Sequence, residues 1–278
     1  MHIDKDGLTE EQFLARYNSS DFDRISLCVD AVIFGVYAKA DTENYRKSDE
    51  QKITVLLVRR TEHPFIGKWA LPGGFVGVAE PLEETAERVV KSKTGMDNIY
   101  LEQLGTFGDT QRDPRMRIVS TAYLSLVDKC SYSTPSANAA WFDVVFELNG
   151  DLLVLSNKDE KISFSVKTNE RQNGKVTAEN IQVQDGSAIA FDHAQIILQG
   201  LLRLRGKIDY TDIVFNLLPN KFTISQLQQI YEIILGHKLL SPVFRRKLAD
   251  KIKAVGEFTH EKGHRPSQLF SYKGGLFL

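Results

Sequence analysis

The sequence predicts an α+β domain with a mixed sheet, followed by a smaller, helix-rich winged helix-turn-helix domain. Three observations predict it. Apolar, β-branched runs of strand length fill residues 25–60 and 99–127, with one capped helix between them. From residue 210 onward, short amphipathic helices replace the strands. Charge divides in the same place: from Leu201 to the end there are 13 Lys+Arg against 6 Asp+Glu, about +7, in a chain of net −1, so residues 1–200 carry about −8. A basic module on an acidic body points to a polyanionic partner. The expected boundary gives domains 1–205 and 206–278.

At 278 residues the chain suffices for one large or two ordinary domains. Its two cysteines, Cys28 and Cys130, are far apart and form no metal spacing. The sequence shows neither a signal peptide nor an apolar run of membrane-spanning length, so a cytoplasmic protein is expected, with no membrane partner.

Residues 1–24 are polar, with one helical pattern from Thr9 to Tyr17. Ile25–Tyr37 is apolar and nearly continuous, a strand buried on both faces. A charged loop over 39–52 leads to a second, antiparallel strand from Ile53 to Arg60. Gly67, Pro72, Gly73 and Gly74 then allow tight turns and close approach of backbone to a ligand. Trp69 between them reads as core or, less simply, as a ligand platform. Pro81, the acids at 83, 84 and 87, and Gly95 mark the start and stop of a helix from about Leu82 to Lys93.

Strands over Ile99–Gly108 and Arg117–Val127 flank Asp109–Arg115. That loop, with two acids and two arginines, reads either as a pocket wall or as a hairpin turn with surface ion pairs. Another strand surrounds Trp141-Phe142. Residues 149–187 read as two or three added hairpin strands with Asn-Gly and Asp-Gly turns. Ala190–Arg205 is an amphipathic helix packing back on the first domain, with His193 in a capping or packing role.

In the basic tail, Asp212–Leu218 is a short helix. Thr223 caps a helix over Ile224–Leu235 that Gly236 stops, with Leu227, Ile230, Tyr231 and Ile234 on its buried face. Ser241-Pro242 opens a further helix running to Gly256, with Val243, Phe244, Leu248 and Ile252 facing inward. Arg245, Arg246, Lys247, Lys251 and Lys253 line its other side, as a helix entering the major groove requires. A closing hairpin forms the wing, with Lys262, His264 and Arg265 at its tip as phosphate or minor-groove contacts. The alternative is that these helices bind a protein partner.

From Gly74, five residues lead to Glu80, seven more to Arg88, then Gly95 and Met96 follow. This resembles the Nudix box, the loop–helix that binds a divalent metal and diphosphate. The box wants glutamates at 89, 92 and 93, where this chain has Val89, Ser92 and Lys93. A hard divalent ion needs carboxylate oxygens. Glu83, Glu84 and Glu87 lie roughly 120–160° round the helix from that face, so no metal and no catalytic residue is assigned. The segments VRRTEHPFIGKWALPGGFV, TFGDTQRDPRMRIVSTAYLSLV, AFDHAQII, FRRKL and KGHRPSQLF resemble the NrtR family, Nudix-related transcriptional regulators of NAD metabolism. Residues 149–187 exceed the family pattern.

The resemblance implies a Nudix-like α/β/α sandwich and a repressor of NAD synthesis or salvage genes. It implies a homodimer on a palindromic double-stranded operator, no required cofactor, and ADP-ribose or a related nucleotide as effector. Arg59, Arg60, Gly73, Gly74, Phe75, Arg88, Arg112 and Arg115 are the candidate effector-binding residues, since arginines suit diphosphate. Arg88 has a second reading, a brace to Glu80. An active hydrolase with a DNA-binding appendage is the alternative function.

Overall fold

The computed structural model describes residues 3–39, 50–132, 136–147, 151–168, 181–259 and 266–274. The first helix, α1 (Glu10–Arg16), is closed by a capping box in which Thr9 and Gln12 satisfy each other's backbone N–H groups. The strands that follow are β1 (Ser26–Lys39), β2 (Glu50–Arg59), β3 (Trp69–Ala70) and β4 (Gly73–Phe75). After the box helix α2 (Leu82–Thr94) come β5 (Tyr100–Phe107), β6 (Ile118–Asp128), β7 (Ala139–Glu147), β8 (Leu152–Ser156), β9 (Lys161–Thr168) and β10 (Ile181–Gln184).

These strands form one sheet in the order β10-β9-β8-β7-β2-β1-β6-β5, with β3 on β2 and β4 on β1. It is mixed: β1 runs antiparallel to β2 and parallel to β6. The expected extra strands are β8, β9 and β10, and they widen the same sheet; the rest of that expectation, 169–180, lies outside the described residues.

β1 is covered on both faces, which is why its sequence is a continuous apolar run. Val29, Ala31 and Ile33 pack with Ala86, Val90 and Met96 on the α2 side. Val32, Phe34 and Val36 face α3 (His193–Lys207) on the other. Gly200 sets how closely α3 lies: a Cβ there would fall 3.0 Å from Val32 Cγ1 and 3.2 Å from Phe34 Cε2. The helix begins at His193, three residues later than the sequence pattern suggests.

The tail folds as α4 (Ile224–Leu235), α5 (Ser241–Leu248) and a hairpin of β11 (Ile252–Phe258) and β12 (Gln268–Tyr272). Thr223 and Gln226 form a capping box on α4, and Gly236 at φ 78° ends it. Four expectations are corrected. The predicted helix to Gly256 stops at Leu248, because Ile252 pairs with Tyr272 across the wing. Lys251 and Lys253 are therefore in the turn and the first wing strand. Val243 faces solvent rather than the core. The segment expected as a short helix at 212–218 is a 3-10 turn, Ile213–Leu217. Tyr231 and Phe244 pack edge to face at 5.0 Å and hold α5 on α4. Among the described residues, no helix is long and apolar enough to cross a membrane.

Candidate functional site

The ends of β1, β2 and β4, the C-terminal end of α2, the 109–115 loop and the start of α3 converge on a cavity of about 570 Å³. Of the predicted residues, Arg59, Arg60, Gly73, Gly74, Phe75, Arg112 and Arg115 line it. Gly73 is required by proximity, since a Cβ there would collide with the Asp30 carboxylate. Arg88 stands apart. It donates to Glu80 Oε1 at 2.6 Å and to the Phe75 carbonyl at 3.0 Å, so it braces the glycine loop. That pairing, chiefly its hydrogen bond, holds the Glu80 carboxyl down to about 2.

The remaining arginines divide into a held group and a more exposed one. Arg112 is buried and reaches Asp192 Oδ1 at 2.7 Å and Asp30 Oδ2 at 3.2 Å. Burial opposes its charge, and Asp192 and Asp30 more than offset that. Burial alone would also raise the Asp30 carboxyl; His193, Arg112 and a 2.6 Å bond from Ser120 bring it down to about 2. His193 Nδ1 accepts the Leu71 N–H at 2.9 Å, which leaves its other nitrogen toward Asp30 at 3.4 Å. Cys28 lies beside them, its thiol pushed up to about 11 by burial and then by Asp30, so it is no nucleophile.

Arg60 and Arg115 form the more exposed group, although Arg60 Nε donates to the Pro64 carbonyl at 2.6 Å and Arg115 donates from Nε and Nη2 to Asp113. Both lie over the Phe191 ring, at 4.9 and 5.9 Å, and Arg115 also lies 5.4 Å from the Phe75 ring. Burial, and then the Arg115 charge, lower the Arg60 guanidinium from its ordinary value. Among the described residues Arg115 has one carboxylate partner, Asp113, at 2.8 Å. Arg59 stacks on Trp69 and reaches Glu160 at 3.5 Å, in the turn between β8 and β9. Trp69 itself is buried core, edge-on to Phe142. The 109–115 loop is thus both pocket wall and ion-paired turn.

Sequence reasoning missed Asp30, Phe191 and the role of His193. A lone aspartate inside a buried apolar strand was the available signal, because such a charge requires partners. Phe191 had none; it sits at φ 56° facing Phe65 at φ 62°, a conformation that local sequence does not announce.

The box helix does not fit a divalent metal. Val89 is buried against Gly74, while Ser92 and Lys93 line the cavity and supply a hydroxyl and a cation where carboxylates are needed. Glu80 is committed to Arg88.

On the tail, Arg245, Arg246 and Lys247 are exposed along α5. Lys247 pairs with Asp209 at 2.8 Å, and Lys251 with Asp212. Arg245 and Arg246 form no ion pair among the described residues. Lys262, His264 and Arg265 lie outside the described residues.

Residues 45–149 match the family described as NUDIX domain, and residues 214–272 match the NrtR DNA-binding winged helix domain. The class is therefore a Nudix domain joined to a DNA-binding winged helix. The ADPR responsive transcriptional repressor NtrR of Acinetobacter baylyi is 32% identical over 271 residues, covering 95% of this chain and 88% of that protein. A MutT/nudix family protein from Enterococcus faecalis has a similar structure, with TM-score 0.70 at 25% identity over 96% of this chain and 94% of that one. Shewanella oneidensis NrtR complexed with a 27mer DNA gives TM-score 0.62 at 30% identity, covering 89% and 93%. The chain belongs to the NrtR family of Nudix-related transcriptional regulators.

Proposed function

We propose that this chain is a cytoplasmic repressor of NAD synthesis or salvage genes. Its Nudix domain senses ADP-ribose, or a related nucleotide diphosphate, without hydrolysing it. The observation that carries the reading is the cation set of the cavity: Arg60, Arg115 and Lys93 face one space beside the Gly73-Gly74 turn, with Lys93 in place of a metal-ligating glutamate. A diphosphate relieves the repulsion between Arg60 and Arg115 and draws on the N–H groups not already given to the Pro64 carbonyl and Asp113. Phe75 and Phe191 offer aromatic faces for the nucleoside. The relative from Acinetobacter baylyi, named for its response to ADPR, supports the choice of effector.

The output is DNA binding by a homodimer on a palindromic operator. Arg245 and Arg246 supply base or phosphate contacts, Lys247 and Lys251 neutralise phosphate, and Lys262, His264 and Arg265, which lie in sequence between the two wing strands, are assigned phosphate contacts. Exposed Val243, one turn before Arg246, suits a thymine methyl. Effector binding releases the DNA, because the effector prefers the conformation that binds the operator less well.

A gel shift on the DNA upstream of the protein's own gene tests this, with and without ADP-ribose. A shifted band that ADP-ribose dissolves supports it; a band indifferent to ADP-ribose rejects the sensor. Magnesium-dependent turnover of ADP-ribose by the purified chain rejects the non-enzymatic reading.

A further inference from the structure

The helix α3 touches both sites. Its first residue, His193, bonds the backbone leading to Gly73, and Asp192 just before it holds Arg112 at the cavity. Near its other end, Arg205 donates from Nε to the Ile234 carbonyl at 2.6 Å and from Nη2 to the Phe146 carbonyl at 3.2 Å. Ile234 lies in the last turn of α4, where carbonyls lack helical partners and the dipole is negative. A guanidinium there satisfies one orphan acceptor and favours the dipole. Because α4 carries α5 through Tyr231 and Phe244, this contact fixes where the DNA-contacting helix stands.

The contact is unusual in its chemistry. Arg205 is partly buried against the Phe146 ring at 4.8 Å; among the described residues no carboxylate pairs with it and its buried Nη1 has no partner. Burial lowers its guanidinium from the ordinary value. A buried N–H left unpaired is costly, so the closed contact is not a weld. Opening the contact lets water reach that N–H and recovers part of the cost.

We propose that Arg205 is a latch that holds the winged helix in its DNA-binding position, and that effector binding opens it through α3. The inference rests on the sensor reading above. The chemistry at the pocket end is competition for one guanidinium. Arg112 offers Nε and Nη2 to Asp192 and Asp30, while Nη1 has only the Cys28 sulfur at 3.7 Å. A diphosphate seated on Arg60 and Arg115 lies beside Arg112 in the same cavity, and a phosphate oxygen drawing on its Nη1 weakens its hold on Asp192, the residue from which α3 starts. The helix then tilts about its tight contact at Gly200, and the far end withdraws Arg205 from Ile234. Arg205 touches neither ligand, so it is a positioning residue.

The test measures operator affinity by fluorescence anisotropy with and without ADP-ribose, and ADP-ribose affinity by calorimetry, in the full chain. In Arg205→Gln the effector-free operator affinity drops to the level of the liganded wild type. The ratio between the two states, which allosteric coupling typically sets at about 5- to 150-fold, falls to about one. ADP-ribose affinity is retained and tightens, because the variant already occupies the conformation the effector prefers, whereas a merely unfolded or loosened protein loses it. Arg205→Lys, which keeps the charge but not the two-pronged donor, gives the same collapse. A variant ratio equal to the wild-type ratio overturns the latch and leaves the sensor reading intact. A wild-type ratio of one overturns both. If both variants fail to fold, hydrogen exchange in the wild type decides: ADP-ribose speeds exchange at the end of α4 if the latch opens, and unchanged exchange there during DNA release rejects it.

Discussion

Arg112 is buried with two carboxylates within 3.2 Å, whereas Arg245 and Arg246 stand in solvent on α5 with no ion pair among the described residues. The same side chain serves two kinds of recognition. A buried, pre-paired guanidinium is held rigid, and an anionic ligand must share it with carboxylates already in place. Under the sensor function proposed above, an anion drawing on Arg112 is expected to loosen its hold on Asp192 and Asp30. Exposed, unpaired guanidinium groups yield no internal displacement. Their favourable term comes from releasing condensed counterions from DNA, so it depends on salt. Arg112 is tied into the fold, and the α5 arginines are exposed with no ion pair among the described residues.

Removing one of the two carboxylates around Arg112 is expected to have the largest effect. Asp30→Asn leaves the Arg112 charge with Asp192 as its one carboxylate and is expected to cost about 3 kcal/mol in urea unfolding. The sign with pH follows from the depressed carboxyl. Asp30 falls to about 2 in the fold, against an ordinary value of 3.8. Its stabilising contribution is therefore complete above about pH 4 and is lost as pH falls through about 2. The variant lacks that acid limb. Equal urea midpoints for both proteins at neutral pH would show that the network contributes no net stability.

Local signals made much of the molecule legible. Gly95 and Gly236 end helices at φ 78° because the left-handed cap favours glycine, and both were readable as helix stops. Thr223 was readable as a cap for the same kind of reason. The run from Ala249 to Gly256 was misread because its apolar spacing, Leu248 to Ile252, fits a helix as well as a wing. Pairing of Ile252 with Tyr272, twenty residues away, decides it, and no local rule contains that partner. In the pocket, the glycine turn and Arg88 sit at motif offsets and could be placed by counting. Whether an arginine braces or binds was not legible, because Glu80 and an incoming phosphate offer Arg88 the same chemistry. Asp192 and Phe191 enter only when α3 crosses the sheet.

A middle-sized effect tests the exposed half. Arg246→Ala is expected to lower operator affinity by about 1–3 kcal/mol and to reduce the salt slope by about one. ADP-ribose affinity stays at its wild-type value, since Arg246 lies on the winged helix and does not line the cavity. Anisotropy titrations at several salt concentrations measure both quantities. An unchanged affinity would remove α5 from the DNA interface and favour a protein partner for this surface.

On α5 itself, two neighbouring cations differ in whether they are already paired. Lys247 neighbours Arg246 in sequence, but its ammonium already lies 2.8 Å from Asp209. Moving it to a phosphate exchanges one ion pair for another, and exposed pairs of this kind differ by less than about 1 kcal/mol. Lys247→Ala is therefore expected to weaken operator binding by less than about fivefold, with a smaller change in salt slope than Arg246→Ala. Asp209→Asn frees the same lysine and should move affinity the opposite way. If Lys247→Ala instead matched Arg246→Ala, prior pairing would not determine how much a cation contributes, and the contrast drawn between the pocket and α5 would fail.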